Sequence, residues 1–175
     1  MAEYRAAIDW SREGETFTDG RYRRRHLWSF DGGVEVPASS SPLVVPLPFS
    51  DATCVDPEEA FVASLSSCHM LWFLSIAAER GFVVDSYHDS ARGTLANDPS
   101  RPGVLMMTRV TLRPLVRFSG DARPDADGLV AMHHLAHRRC FIANSVKSDV
   151  RCEPMFEDAY APLPAHTSPL PSPAP

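Results

Sequence analysis

The sequence has almost no lysine: Lys147 stands alone against sixteen arginines in 175 residues. Any cationic role therefore falls to a guanidinium, which stays charged at every working pH. Positive charge is not in excess either, since the formal net charge is -5. Nucleic acid and anionic membrane surfaces are therefore not expected as partners. Long apolar runs are scarce. The longest strictly apolar stretch is residues 70–74, resumed at 76–78 after Ser75. A membrane helix needs ~20 such residues, so no spanning segment is expected. The opening residues Met1, Ala2, Glu3, Tyr4 and Arg5 have no apolar block behind them. No secretory signal is expected, and the cytoplasm is the expected compartment. Cysteines stay reduced there unless they do redox work. None of the four, Cys54, Cys68, Cys140 and Cys152, falls in a C-x-x-C pair. That spacing marks thioredoxin-like sites and zinc knuckles. Each cysteine taken singly reads as a small buried hydrophobe, and a redox pair has to be assembled by the fold.

What is present suffices for one globular domain. Apolar residues make up 44% and aromatics 9% of the chain, enough to fill a core. Residues 1–160 read as that domain. Six of the last fifteen residues are proline, so 161–175 is expected to be an extended tail that buries nothing. Its short proline spacings also suit a polyproline-binding groove.

Strands are expected first. Residues 4–10 form one candidate. Residues 22–30 alternate, with Tyr22, Arg24, His26, Trp28 and Phe30 on one face. Asp31-Gly32-Gly33 is a turn signal, and residues 34–39 return as the second arm of a hairpin. Residues 41–53 carry three prolines and read as a long loop. A helix follows, with Asp56 as N-cap, Pro57 in the first turn, and Glu58 and Glu59 at the positive end of the dipole. It runs to about Arg80, and Gly81 ends it. Phe61, Ser64, Leu65, Cys68, Leu71, Trp72 and Ser75 share one face at helical spacing. Residues 82–95 and 104–118 read as two long strands joined by a turn at 97–103. Residues 125–139 form a second helix with Cys140 at its end, and 144–150 a short helix or turn. The fold class is α+β.

Cys68 lies eleven residues into its helix, roughly 16 Å from the first turn. The dipole is too far away to acidify it. A free thiol is only a few per cent ionised at neutral pH, so a nucleophilic Cys68 needs a positive partner. Arg21, Arg23, Arg24 and Arg25 are the obvious supply, although such a cluster is also an ordinary solvated basic turn. Glu58 complements the dipole. It can also hold a bridging arginine, whose planar fork meets a carboxylate on one edge and a thiolate on the other. A competing constellation is His133, His137 and Cys140, at i, i+4 and i+7 of one helix. Cys68 would complete this set as a metal site.

Residues 55–68, Val-Asp-Pro-Glu-Glu-Ala-Phe-Val-Ala-Ser-Leu-Ser-Ser-Cys, resemble the Asn-Pro-Glu…Ala-Cys helix of the OsmC/Ohr family. Those proteins are thiol-dependent peroxidases that prefer organic hydroperoxides. The resemblance extends over residues 4–152 and includes Cys140 at the end of the second helix. It implies an intertwined homodimer with buried central helices, sheets wrapped around them and two sites at the subunit interface. By position, Cys68 matches the peroxidatic cysteine, Cys140 the resolving one, and Glu58 the glutamate that holds the catalytic arginine. Arg24 is the best match for that arginine, with Arg21, Arg23 and Arg25 as alternatives. Phe141 stands where the family often has proline, and His69 where an aromatic is common. The longer loop at 41–53 is in position to cover the site. The implied partners are a hydroperoxide, aided by apolar neighbours such as Phe61, Trp72 and Phe141, and a dithiol reductant of lipoyl or thioredoxin type. No cofactor or metal is required. The alternative reading is a non-catalytic binding or redox-sensing dimer on the same fold.

Overall fold

The computed structural model describes residues 1–156, so the boundary at 160 and the proline-rich tail lie outside the described residues. Strands β1 (Ala6–Asp9), β2 (His26–Phe30) and β3 (Glu35–Ala38) form an antiparallel sheet in that order. The β2–β3 turn is the expected one. Gly33 takes a positive φ of 80°, a conformation that costs glycine nothing. β2 begins at His26 rather than at residue 22. The segment before it is engaged elsewhere: Phe17 stacks on Tyr22 and Trp10 packs on both rings, and the Arg24 N–H donates to the Phe49 carbonyl at 2.9 Å.

Helix α1 (Pro57–Glu79) starts with a reciprocal capping arrangement. The Asp56 carboxylate accepts from the Glu59 N–H at 2.7 Å, and the Glu59 side chain accepts from the Asp56 N–H at 3.4 Å. Two otherwise orphaned donors are thereby satisfied. Replacing Asp56 with alanine is expected to lower unfolding stability by about 1 kcal/mol, read as a lower urea midpoint at unchanged slope. Gly81, at φ 75°, carries the chain away from the helix.

The face that α1 buries differs from the expected one. Leu65, His69, Phe73, Ile76 and Ala77 are the buried positions; of the expected stripe only Leu65 is among them, and Leu71 is 63% exposed. The helix is apolar on more than one side, so periodicity alone could not choose between its faces. With 23 residues, α1 is long and apolar enough to cross a bilayer by length and composition. Its packing against α2 and strands of two sheets is that of a core helix.

Each expected long strand is cut in two, giving β4 (Val83–Asp89), β5 (Arg92–Asn97), β6 (Leu105–Leu112) and β7 (Pro114–Ser119). The breaks coincide in space. The Asp89 carboxylate accepts from the Arg113 N–H at 2.6 Å and from the Ser66 hydroxyl at 2.5 Å, and Pro114 has no N–H to give the ladder. β4 therefore pairs with β7, while β5 and β6 belong to another sheet. Helix α2 (Ala126–Arg139) is capped by Asp125, which accepts from the Gly128 N–H at 2.7 Å. After it, only Ala143–Ser145 makes a 3-10 turn. The chain then forms β8 (Asp149–Cys152), which lies parallel to β6 with Cys152 opposite Leu112. This strand corrects the expectation of a helix or turn through residue 150.

Two apolar clusters hold these layers together. Phe73, Ile76 and Ala77 of α1 pack on Leu129, Met132 and Ala136 of α2 and on Val116 of β7. Leu65, near the start of α1, packs on Val110 and Leu112 of β6. The α1–α2 contact brings the middle of the first helix to the end of the second.

Candidate functional site

Cys68 sits midway along α1, half-buried, and Cys140 caps the C-terminus of α2 at 1% exposure. Their thiols are neighbours, close enough that Cys68 bears on the ionisation of Cys140. The turn after α2 fixes Cys140: its N–H donates to the His137 carbonyl at 3.2 Å, and its sulfur accepts from the Ala143 N–H at 3.3 Å. Burial, then the contact with Cys68, pushes the Cys140 thiol up to about 11, so at neutral pH it keeps its proton. All four cysteines are free. The structure thus brings together the two sulfurs that the sequence separates by 72 positions.

Above Cys68 lies a cavity of roughly 800 Å³, lined by Tyr4, Ser64, Leu71, Trp72, Phe141 and Ile142, among others. Trp72 and Phe141 meet edge to face, with ring centroids 5.4 Å apart. Arg139 lies over Trp72 at 5.6 Å and pairs with Glu79 at 3.2 Å. The wall suits an apolar organic group next to the sulfur. Phe61, expected here, packs instead against the Leu65 cluster.

The other two expected residues stand apart from the thiols within one chain. Glu58 lines a separate groove of roughly 950 Å³ with Ser41, Leu43, Cys54, Tyr87 and Asp89. The loop at 41–53 walls that groove rather than the Cys68 cavity. Cys54, at its edge, has its thiol pushed up by burial and by Asp51. Arg24 folds back on its own loop: its guanidinium donates to the Tyr22 carbonyl and, at 2.8 Å, to that of Gly20. It also stacks on the Tyr22 ring at 3.8 Å. Arg23 pairs with Glu15 at 3.4 Å, Arg25 with Asp51 at 3.2 Å, and Arg21 lies over Phe49 at 5.8 Å.

The α2 residues singled out as metal ligands are also separated. His133 turns to His69 of α1, their facing nitrogens 3.0 Å apart, and Cys152 of β8 stands 3.7 Å from His69 Nε2. Among the described residues, this trio is the one group of three His, Cys, Asp or Glu side chains close enough to share a metal; His137 and Cys140 are outside it. Burial pushes His69 down to about 4 and His133 down to about 3, so both imidazoles are neutral at pH 7. His69 and Cys152 were not among the residues expected to share a metal. The available signal was that His69 is spaced four residues from both Leu65 and Phe73, on the face that α1 buries.

The profile of the OsmC-like protein family matches residues 50–154, the segment that carries α1, both thiols and β8. The chain belongs to the OsmC-like family. A solved OsmC-like protein of unknown function from Vibrio cholerae is 52% identical, with a TM-score of 0.85 over 89% of this chain and all of that one. Two further structures share the OsmC-like fold at low identity. One is the organic hydroperoxide resistance protein OhrB of Bacillus subtilis, at 18% identity, a TM-score of 0.61 and coverage of 88% and 98% of the two chains. The other is an organic hydroperoxide resistance protein from Elizabethkingia anophelis, at 12%, 0.62, and 88% and 94%. No curated protein sequence matches the chain.

Proposed function

We propose that this OsmC-like protein is a cysteine-based thiol peroxidase for organic hydroperoxides, acting in oxidative stress defence in the cytoplasm. The observation that carries the reading is that Cys68 and Cys140 are neighbours, with Cys68 in the wall of an aromatic cavity. The organic hydroperoxide resistance proteins of the same fold support it.

The Cys68 thiolate attacks the distal oxygen of the hydroperoxide. The O–O bond breaks, the alkoxide leaves and takes a proton to become the alcohol, and Cys68 becomes a sulfenic acid. Cys140, protonated and in contact, condenses with it, giving the Cys68–Cys140 disulfide and water. An external dithiol of lipoyl or thioredoxin type reduces that disulfide by exchange and is itself oxidised. Burial suits Cys140 to the second step, since a thiol at about 11 does not compete for the peroxide.

Activation of Cys68 requires a homodimer. Leu71 and Phe141 at the cavity mouth are 63% and 67% exposed, an apolar surface that calls for a cover. A second copy supplies the cover and carries an Arg24 loop with it. In the assembled site Arg24 faces the thiolate and Glu58 orients the guanidinium. Arg24→Ala is expected to raise the pH of half-maximal Cys68 alkylation by about 1–3 units, the usual effect of losing an opposite charge. Glu58→Ala gives a smaller rise, and the double variant is little worse than Arg24→Ala, because both changes remove one device. If Arg21→Ala, Arg23→Ala or Arg25→Ala shifts the profile instead, the role belongs to that residue. If none of the four does, the loop does not activate Cys68.

Turnover with a dithiol present tests the function itself. Cumene hydroperoxide should be consumed at least about tenfold more efficiently than hydrogen peroxide, the scale of ~1.4 kcal/mol from burying one apolar group. No consumption with either a lipoyl or a thioredoxin-type reductant leaves the non-catalytic binding or sensing dimer as the reading.

A further inference from the structure

His69, His133 and Cys152 are far apart in sequence and come from three elements, α1, α2 and β8. We propose that they form a binding site for a zinc(II)-class transition-metal ion, separate from the Cys68–Cys140 pair. His69 Nε2, His133 Nδ1 and Cys152 Sγ all lie within 4.8 Å of one another. Zinc bonds of ~2.0 Å to nitrogen and ~2.3 Å to sulfur set tetrahedral edges of about 3.4 Å between two nitrogens and about 3.6 Å between nitrogen and sulfur. The observed separations are 3.0 Å and 3.7 Å. Seating the ion replaces the 3.0 Å hydrogen bond between the imidazoles and parts them by a few tenths of an ångström, with the Cys152 sulfur, within 4.8 Å of His133 Nδ1, closing on the ion.

The donor chemistry selects the ion. Two imidazoles and a thiolate suit zinc and its late first-row neighbours, and do not suit calcium or magnesium, which take oxygen ligands. Binding releases the Cys152 proton to solvent, so the occupied site carries one net positive charge, and water takes the fourth position. The ion also fixes both tautomers, with the ring protons on His69 Nδ1 and His133 Nε2.

Two observations set the cluster apart from ordinary core packing. Both imidazoles are 1% exposed and stack 5.3 Å apart at 7°, and His133 stacks on Phe73 at 4.2 Å. His69 Nδ1 and His133 Nε2 have no partner. Aliphatic side chains would fill such a place without leaving buried polar atoms unpaired. Access exists on the β8 side. Cys152 is half-buried, and Tyr87, whose ionisation feels the Cys152 sulfur, also lines the open groove at Glu58.

The test uses the reduced full-length chain, stripped with a chelator and dialysed against zinc(II) or cobalt(II). One zinc per chain is expected in the wild type. The same is expected in Cys54→Ser/Cys68→Ser/Cys140→Ser, where Cys152 is the one sulfur left among the cysteines. Cobalt in that triple variant should show an intense thiolate-to-metal charge-transfer band. Because the triple variant leaves the cluster untouched, its result does not depend on whether a cluster variant folds. His133→Gln and Cys152→Ser, each checked by circular dichroism, should weaken zinc at least about 100-fold, no less than loss of an outer-shell partner does. Zinc absent from the folded triple variant, zinc bound there without the cobalt band, or affinity unchanged in folded His133→Gln overturns the proposal.

Discussion

Cys68→Ser is expected to abolish peroxide consumption while the fold survives. Serine is nearly isosteric, and the site is half-buried rather than sealed, so the stability change should stay within about 1 kcal/mol. A hydroxyl at this position of α1 can donate to the carbonyl of Ser64, one turn back. What is lost is the nucleophile. A serine hydroxyl is essentially un-ionised near pH 7, and no base stands next to it in the cavity lining. Removing a covalent nucleophile from an enzyme commonly costs well above about 1,000-fold in turnover, and the rate should fall to the background of peroxide with free dithiol. Near-normal turnover in this variant would make Cys68 a packing residue and end the peroxidase reading.

Cys140→Ser should separate the two halves of the cycle. The first oxygen transfer involves only Cys68, so one equivalent of peroxide per chain is still consumed. The second step has lost its thiol. The Cys68 sulfenic acid then waits for external thiol or for more peroxide, and climbs to sulfinic acid. Steady-state turnover is expected to fall to a few per cent of wild type or less, with mass spectrometry showing one or two added oxygens on Cys68. Serine at 140 can still accept the hydrogen bond from the Ala143 N–H that the sulfur accepts at 3.3 Å, which preserves the turn. A disulfide from Cys68 to Cys54 or Cys152 in this variant would move the resolving role to that residue. Cys152 is the less accessible of these two rivals, with burial pushing its thiol up to about 12.

The start of α1 was legible residue by residue because capping is local chemistry: Asp56, Pro57 and Glu59 specify a helix start whatever packs on it later. The β2–β3 hairpin was legible for the same reason, through Asp31-Gly32-Gly33. The breaks in the long strands were not. They depend on the Asp89 carboxylate reaching the Arg113 N–H across 24 residues, which leaves no trace in strand periodicity. β8 escaped because four residues, Asp149 to Cys152, are too few for alternation to rise above chance. Its partner β6 is forty residues earlier.

The candidate site divides along the same line. Cys68 and Cys140 were singled out by the resemblance of residues 55–68 to the family helix and by the cysteine at the end of the second helix. Their contact follows from α1 lying on α2. Trp72 and Phe141 line the cavity as expected, while Phe61 faces the other way because α1 is apolar on several sides. The pairing of His133 with His69 was beyond reach. On α2 alone, His133, His137 and Cys140 look like a set, and only helix packing reveals that His133 faces α1. Arg24 and Glu58 stay apart within one chain, and their grouping is part of the proposed dimer.

The most direct test of the central claim is a disulfide map. The fully reduced chain, with its four free thiols, is treated with one equivalent of cumene hydroperoxide, alkylated at once, digested and analysed by mass spectrometry. The account predicts that two thiols disappear, that Cys68 and Cys140 are recovered in one linked peptide pair, that Cys54 and Cys152 are alkylated, and that a dithiol restores all four. Four thiols still alkylated after the peroxide treatment, or a linkage that leaves out Cys68, would contradict it.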